Sequence, residues 1–129
     1  MRKIVLILAC IICLSSFVGC VNKKAIKEQL CRDDGFWCYE IKSSNTTVYV
    51  DYSFEKDNTY WVMWIEPISG YEREFKGEYN IKASEIILED ETGVSFTTIE
   101  YSFVDGILKM IDKLEDGSGN YELVWEDYN

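Results

Sequence analysis

Tyr71-Glu72-Arg73-Glu74-Phe75-Lys76-Gly77-Glu78-Tyr79-Asn80-Ile81-Lys82 decides how the rest of the chain is read. Tyr71, Phe75, Tyr79 and Ile81 share one parity with Arg73 and Gly77, while Glu72, Glu74, Lys76, Glu78, Asn80 and Lys82 take the other. Successive strand side chains point to opposite faces, so this period of two describes an antiparallel strand with one buried and one wet face.

The same period recurs on both sides. Toward the N-terminus, Thr47 to Phe54 sets Val48, Val50, Tyr52 and Phe54 against Tyr49, Asp51 and Ser53, and Lys56-Asp57-Asn58 turns the chain into Thr59 to Ile65. Pro67 to Gly70 supplies the following turn, and Phe36 to Ile41 fits a first strand. Toward the C-terminus, Glu85 to Glu89 is followed by the turn Asp90 to Gly93 and then by Val94 to Val104. Apolar parity in that last segment switches between Phe96 and Ile99, which predicts a bulge near Thr97-Thr98. Asp105-Gly106 is a two-residue hairpin signal, and Ile107 to Leu114 and Tyr121 to Glu126 flank the turn Asp116-Gly117-Ser118-Gly119-Asn120. The expected fold class is all-β: a single antiparallel up-and-down meander of about eight strands, closed or nearly closed into a barrel because closure removes exposed edges.

Four stretches carry a family resemblance: Tyr52 to Tyr60, Gly77-Glu78-Tyr79-Asn80-Ile81, Ile86-Ile87-Leu88, and Tyr101 to Leu108. Their order is similar to that of bacterial lipocalin-like domains, over residues 36 to 126. The family usually has glycine where this chain has Asn58, and asparagine tolerates the left-handed backbone that such a turn needs. The resemblance implies a small antiparallel barrel; a fold does not by itself fix a function.

The N-terminus reads as an address. Arg2 and Lys3 precede the apolar run Ile4 to Leu14, which is too short to cross a ~30 Å hydrocarbon core as a helix. Phe17-Val18-Gly19-Cys20 resembles the lipobox of bacterial lipoproteins. This implies cleavage before Cys20, acylation of its thiol, and retention outside the cytoplasm on the cell membrane. Leucine is commoner than Phe17 at its position. The expected organisation is a signal peptide at 1–19, a lipidated tether with a short helix at 20–33, and a β-domain at 34–129. Ile26 and Leu30 fall on one face of that helix.

Residues 1–19 carry Arg2 and Lys3 but no acid, so their removal takes the formal charge from −10 to −12. Such a surface repels nucleic acid and favours either simple solubility or a cationic partner. With 47% hydrophobic and 15% aromatic residues the chain can bury a core. Histidine is absent, which removes His-dependent triads, His-ligated metals and the usual near-neutral base. No glycine-rich phosphate loop or nucleophile elbow occurs; the acidic stretches Glu89-Asp90-Glu91 and Asp112 to Asn120 read as solvated hairpin turns, the second failing calcium-loop spacing; no enzyme and no cofactor is expected.

Cys31 and Cys38 are the pair left in an exported domain. They are expected to form a disulfide around the turn at Asp34-Gly35, the alternative being two reduced thiols. The inward aromatics Tyr52, Phe54, Trp64, Phe75, Tyr79, Tyr101, Phe103 and Trp125, with Tyr121 on the same parity as Trp125, either fill the barrel or line a small lumen, the first eight being the expected ligand-lining residues. Thr59 to Ile65 is apolar on both parities. Its second face, with Trp61 and Met63, is either covered by the segment around Ile26 and Leu30 or exposed to a partner. The first functional expectation is therefore a non-enzymatic binding domain for a small apolar or amphipathic ligand at the cell envelope. The second is a protein-interaction module, an inhibitor or accessory subunit of an envelope complex.

Overall fold

A computed structural model describes residues 23–114 and 119–128. The expected signal peptide and Cys20 lie outside them. A helix, α1 (residues 23–30), precedes eight strands. These are β1 (Gly35–Lys42), β2 (Thr47–Phe54), β3 (Thr59–Glu66), β4 (Tyr71–Ile81), β5 (Glu85–Asp90), β6 (Ser95–Val104), β7 (Ile107–Lys113) and β8 (Asn120–Asp127). Each pairs antiparallel with the next, and β8 returns to β1, closing the barrel. The all-β meander expected from the alternation is the observed fold.

Turn chemistry accounts for the tight connections. Asp105 and Gly106 both have positive φ (54° and 75°), the backbone of a type I′ hairpin. Asn58 takes φ 71°, as its left-handed tolerance anticipates. The bulge lies one residue before its expected place. Leu88 pairs with Thr97 but Glu89 pairs with Ser95, leaving Phe96 as the extra residue. Phe96 then packs on Phe75 at 4.7 Å between ring centroids.

Glu66 ties the β3–β4 turn. Its carboxylate accepts from the Ser69 and Thr46 hydroxyls and from the backbone N–H groups of Ser69 (2.7 Å) and Ile68 (3.0 Å). These bonds, the Ser69 hydroxyl foremost, hold the carboxyl at about 2, below its ordinary 4.5. A depressed folded-state pKa stabilises fully above the unfolded value and is lost as pH falls through the folded one. The melting temperature of the wild type should therefore fall more steeply between pH 4.5 and 2 than that of Glu66→Gln. Parallel melting curves would show that the turn does not depend on this ionisation.

α1 is part of the core rather than a loose tether, and it covers an end of the barrel rather than the outer face of β3. Ile26 and Leu30 are buried at 4% and 1% exposure. Lys27 donates to Asn58 Oδ1 in the β2–β3 turn, and Gln29 bridges the carbonyl of Gly106 and the N–H of Leu108. Trp37 Nε1 donates to the Leu30 carbonyl at 3.1 Å. The i, i+4 pair Ile26 and Leu30 thus packs against the core at this end.

The expected disulfide is not formed: Cys31 and Cys38 are both free. Alternation explains why. Trp37 and Tyr39 are buried at 5% and 7% exposure, so Cys38 between them faces outward. Cys31 is buried beneath α1, its Sγ 3.2 Å from the Tyr79 hydroxyl inside the barrel. The wall of β1 separates the two thiols, and a turn at Asp34-Gly35 cannot bring them to the same side.

Deeper inside, the Asp112 carboxylate sits among apolar side chains. Asp112 is fully buried, accepting from Tyr39 (2.8 Å), Tyr52 (2.7 Å) and Thr97 (2.9 Å) hydroxyls. Burial, and after it the Asp112 carboxylate, pushes both tyrosine hydroxyls above the usual phenol range, so they remain donors.

Candidate functional site

Closure is uneven around the barrel. β1 pairs with β8 only from Gly35–Asp127 to Cys38–Val124. Beyond that point Tyr39 to Lys42 pair with β2 alone, and Asn120 to Leu123 pair with β7 alone. The opposite seam behaves alike: β4 pairs with β5 over Gly77 to Ile81, while Tyr71 to Lys76 pair only with β3. Two four-stranded halves are thus hydrogen-bonded near α1 and part at the far end. Aromatic pairs bridge the partings, Tyr39 on Tyr121 (5.0 Å, interplanar 10°) and Phe75 on Phe96.

A like-charge pair lies in the path of the β1–β8 ladder. Continuing the register past Cys38–Val124 would set Glu40 directly opposite Glu122, and like charges in that position destabilise a ladder. Over the parting lies a groove of about 690 Å³. Its floor holds Cys38, Tyr49, Ile65 and Val124 with the edges of Tyr39 and Tyr121, and Glu40, Asp51, Glu122 and Glu126 surround it. The one cation lining it, Lys42, lies 3.5 Å from Glu40. Burial, followed by Glu126, Asp51 and Glu40, pushes the Cys38 thiol up to about 12. Burial, and then Glu126, raises the Asp51 carboxyl. Burial is the larger cause of both shifts and the neighbouring carboxylates add to it; the neutral thiol is a poor nucleophile.

All eight expected ligand-lining aromatics point inward, yet they do not converge. Tyr52 stacks on Phe54 (5.8 Å), and Phe54 meets Tyr79 edge-on (5.4 Å). Trp125 packs on Trp37 (5.3 Å) beneath the Arg32 guanidinium. Tyr101 and Phe103 line a recess beside α1 with Lys23 and Ile26. Trp64 and Phe75 stand together at the parted end (6.4 Å). None of the eight lines the β1–β8 groove. Elsewhere in the barrel the indole N–H of Trp64, and separately the hydroxyl of Tyr60, are buried without a hydrogen-bond partner among the described residues.

The outer face of β3 stays partly open. Trp61, Met63 and Ile65 are half-buried; Trp61 Nε1 donates to Glu74 at 2.6 Å, and Met63 stands between Asp51 and Glu74 in register. Ile65 carries this apolar row into the groove.

Sequence reasoning missed two features. Asp112 was legible, since it shares its parity with buried Leu108 and Met110 on β7. The groove was not, because Glu40 and Glu122 meet only when the last strand returns to the first. Among the described residues no group of three metal-ligating side chains converges. No protein-family model matches this chain, and no curated protein or solved structure matches it significantly.

Proposed function

We propose that this chain is a non-catalytic recognition domain, tethered outside the cytoplasm by lipid on Cys20, whose β1–β8 groove takes a cationic amphipathic segment of an envelope protein. The observation that carries this reading is the groove itself: an apolar floor ringed by Glu40, Asp51, Glu122 and Glu126. Burying the floor drives association at about 25 cal/mol per Å², and the acidic ring selects the charge of the partner. A lipid anchor acts through its own acyl chains, at about 0.8 kcal/mol per methylene, leaving the wall of the barrel unoccupied by membrane.

Titration with an acetylated heptapeptide of alternating lysine and valine tests the groove. The cationic peptide should bind, more weakly as salt is raised, and the same peptide with glutamate in place of lysine should not. Equal binding of the two peptides, or none, removes the proposal. Fatty-acid labelling of the wild type and of Cys20→Ser tests the tether, and equal labelling would place the acyl group elsewhere.

A second reading retains the small amphipathic ligand suggested by the lipocalin-like pattern. Its support is two buried polar atoms without a partner among the described residues, the Tyr60 hydroxyl and Trp64 Nε1. Such a ligand would raise the melting temperature of wild type but not of Trp64→Phe.

A further inference from the structure

The parting of β1 and β8 leaves a strand edge inside the groove. Tyr39 to Lys42 keep extended backbone and pair with β2 on one side. On the other side, among the described residues, no strand pairs with them. In a sheet, alternate residues aim N–H and C=O toward each side, so this edge offers unsatisfied backbone groups. The groove is lined from both strands, by Tyr39, Glu40 and Lys42 on one side and Asn120, Tyr121 and Glu122 on the other. The stacked Tyr39 and Tyr121 rings bridge its base.

We infer that the partner segment binds as an added β-strand, pairing its backbone with the β1 edge at Tyr39 to Lys42. This inference rests on the groove being the binding surface. Strand addition also dictates the composition of the segment. One parity of the added strand lies beside Glu40 and Glu122 on the outside and takes lysine or arginine. The other parity faces the rings of Tyr39 and Tyr121 and takes apolar residues. The segment is therefore extended, with cations and apolar side chains alternating. A second copy of this chain is a poor occupant, because acidic groove would meet acidic surface.

The test uses the purified full-length chain in detergent with the lysine–valine heptapeptide and two analogues. One is N-methylated at its lysine amides, the other at its valine amides. Methylation of one set blocks only one edge of a strand, whereas charge and side chains are unchanged. One analogue should bind about tenfold more weakly and the other within about twofold of the parent, as expected when a pair of hydrogen bonds is lost. The unmodified peptide should also slow amide exchange at Tyr39 to Lys42. Equal affinity of all three peptides overturns strand addition. The groove reading then survives provided Glu40→Gln with Glu122→Gln still weakens binding. Binding unchanged by that double substitution overturns both, as does self-association of the chain that the peptide competes away.

Discussion

Asp112→Ala is expected to lower the stability of the barrel by about 4 kcal/mol, a large share of the roughly 5–15 kcal/mol that holds a domain together. The Tyr39, Tyr52 and Thr97 hydroxyls all end on this carboxylate, at 2.7–2.9 Å. Each buried hydroxyl left without a partner costs about 1–3 kcal/mol, and the missing side chain leaves a cavity as well. Asp112→Asn keeps the shape and one acceptor, so it should cost about 2 kcal/mol. Apolar replacement of the whole set, Asp112→Leu with Tyr39→Phe and Tyr52→Phe, should recover much of the loss, because no donor is then stranded. Urea denaturation with a shared slope measures all three. A cost for Asp112→Ala below about 1 kcal/mol would show that the hydroxyls find other partners or water, and the carboxylate would lose its organising role.

Gly77→Ala is expected to cost about 3 kcal/mol or more, through overpacking rather than a lost contact. A Cβ at Gly77 would lie 1.8 Å from the Glu89 carbonyl oxygen and 2.8 Å from its carbon. These are backbone atoms of the neighbouring strand, so relief requires β4 and β5 to separate at Gly77–Asp90, where their ladder already ends. Gly35→Ala repeats the argument at the other seam, 2.0 Å from the Glu126 carbonyl oxygen beside the Gly35–Asp127 pair. Gly106→Ala is the control. Its φ of 75° strains an L-residue by about 1–2 kcal/mol, but nothing lies within 4 Å of the new methyl group. Thermal melts of the three variants should place Gly106→Ala well above the two seam variants. A Gly77→Ala protein as stable as Gly106→Ala would mean that the seam is free to widen, and closure at β4–β5 would not be under the constraint described.

These expectations divide between what local pattern announces and what it cannot. Alternation from Tyr71 to Lys82, and the same period from Thr47 to Phe54, determined the strands, because side-chain direction in a strand depends only on the parity of the residue. Asn58 and Asp105-Gly106 determined their turns, since a positive φ is a property of two or three residues. The eight aromatics were assigned inward by the same rule, and all point there. Whether Cys38 can reach Cys31 depended on which side of β1 each thiol occupies. That was decided when α1 buried Cys31 against Tyr79. The fate of Ile26 and Leu30 likewise waited on an open barrel end that only eight assembled strands create. The groove is the most distant from local reading. It exists because the last strand returns to the first, so that Glu40 and Glu122, remote in sequence, line one groove only after closure.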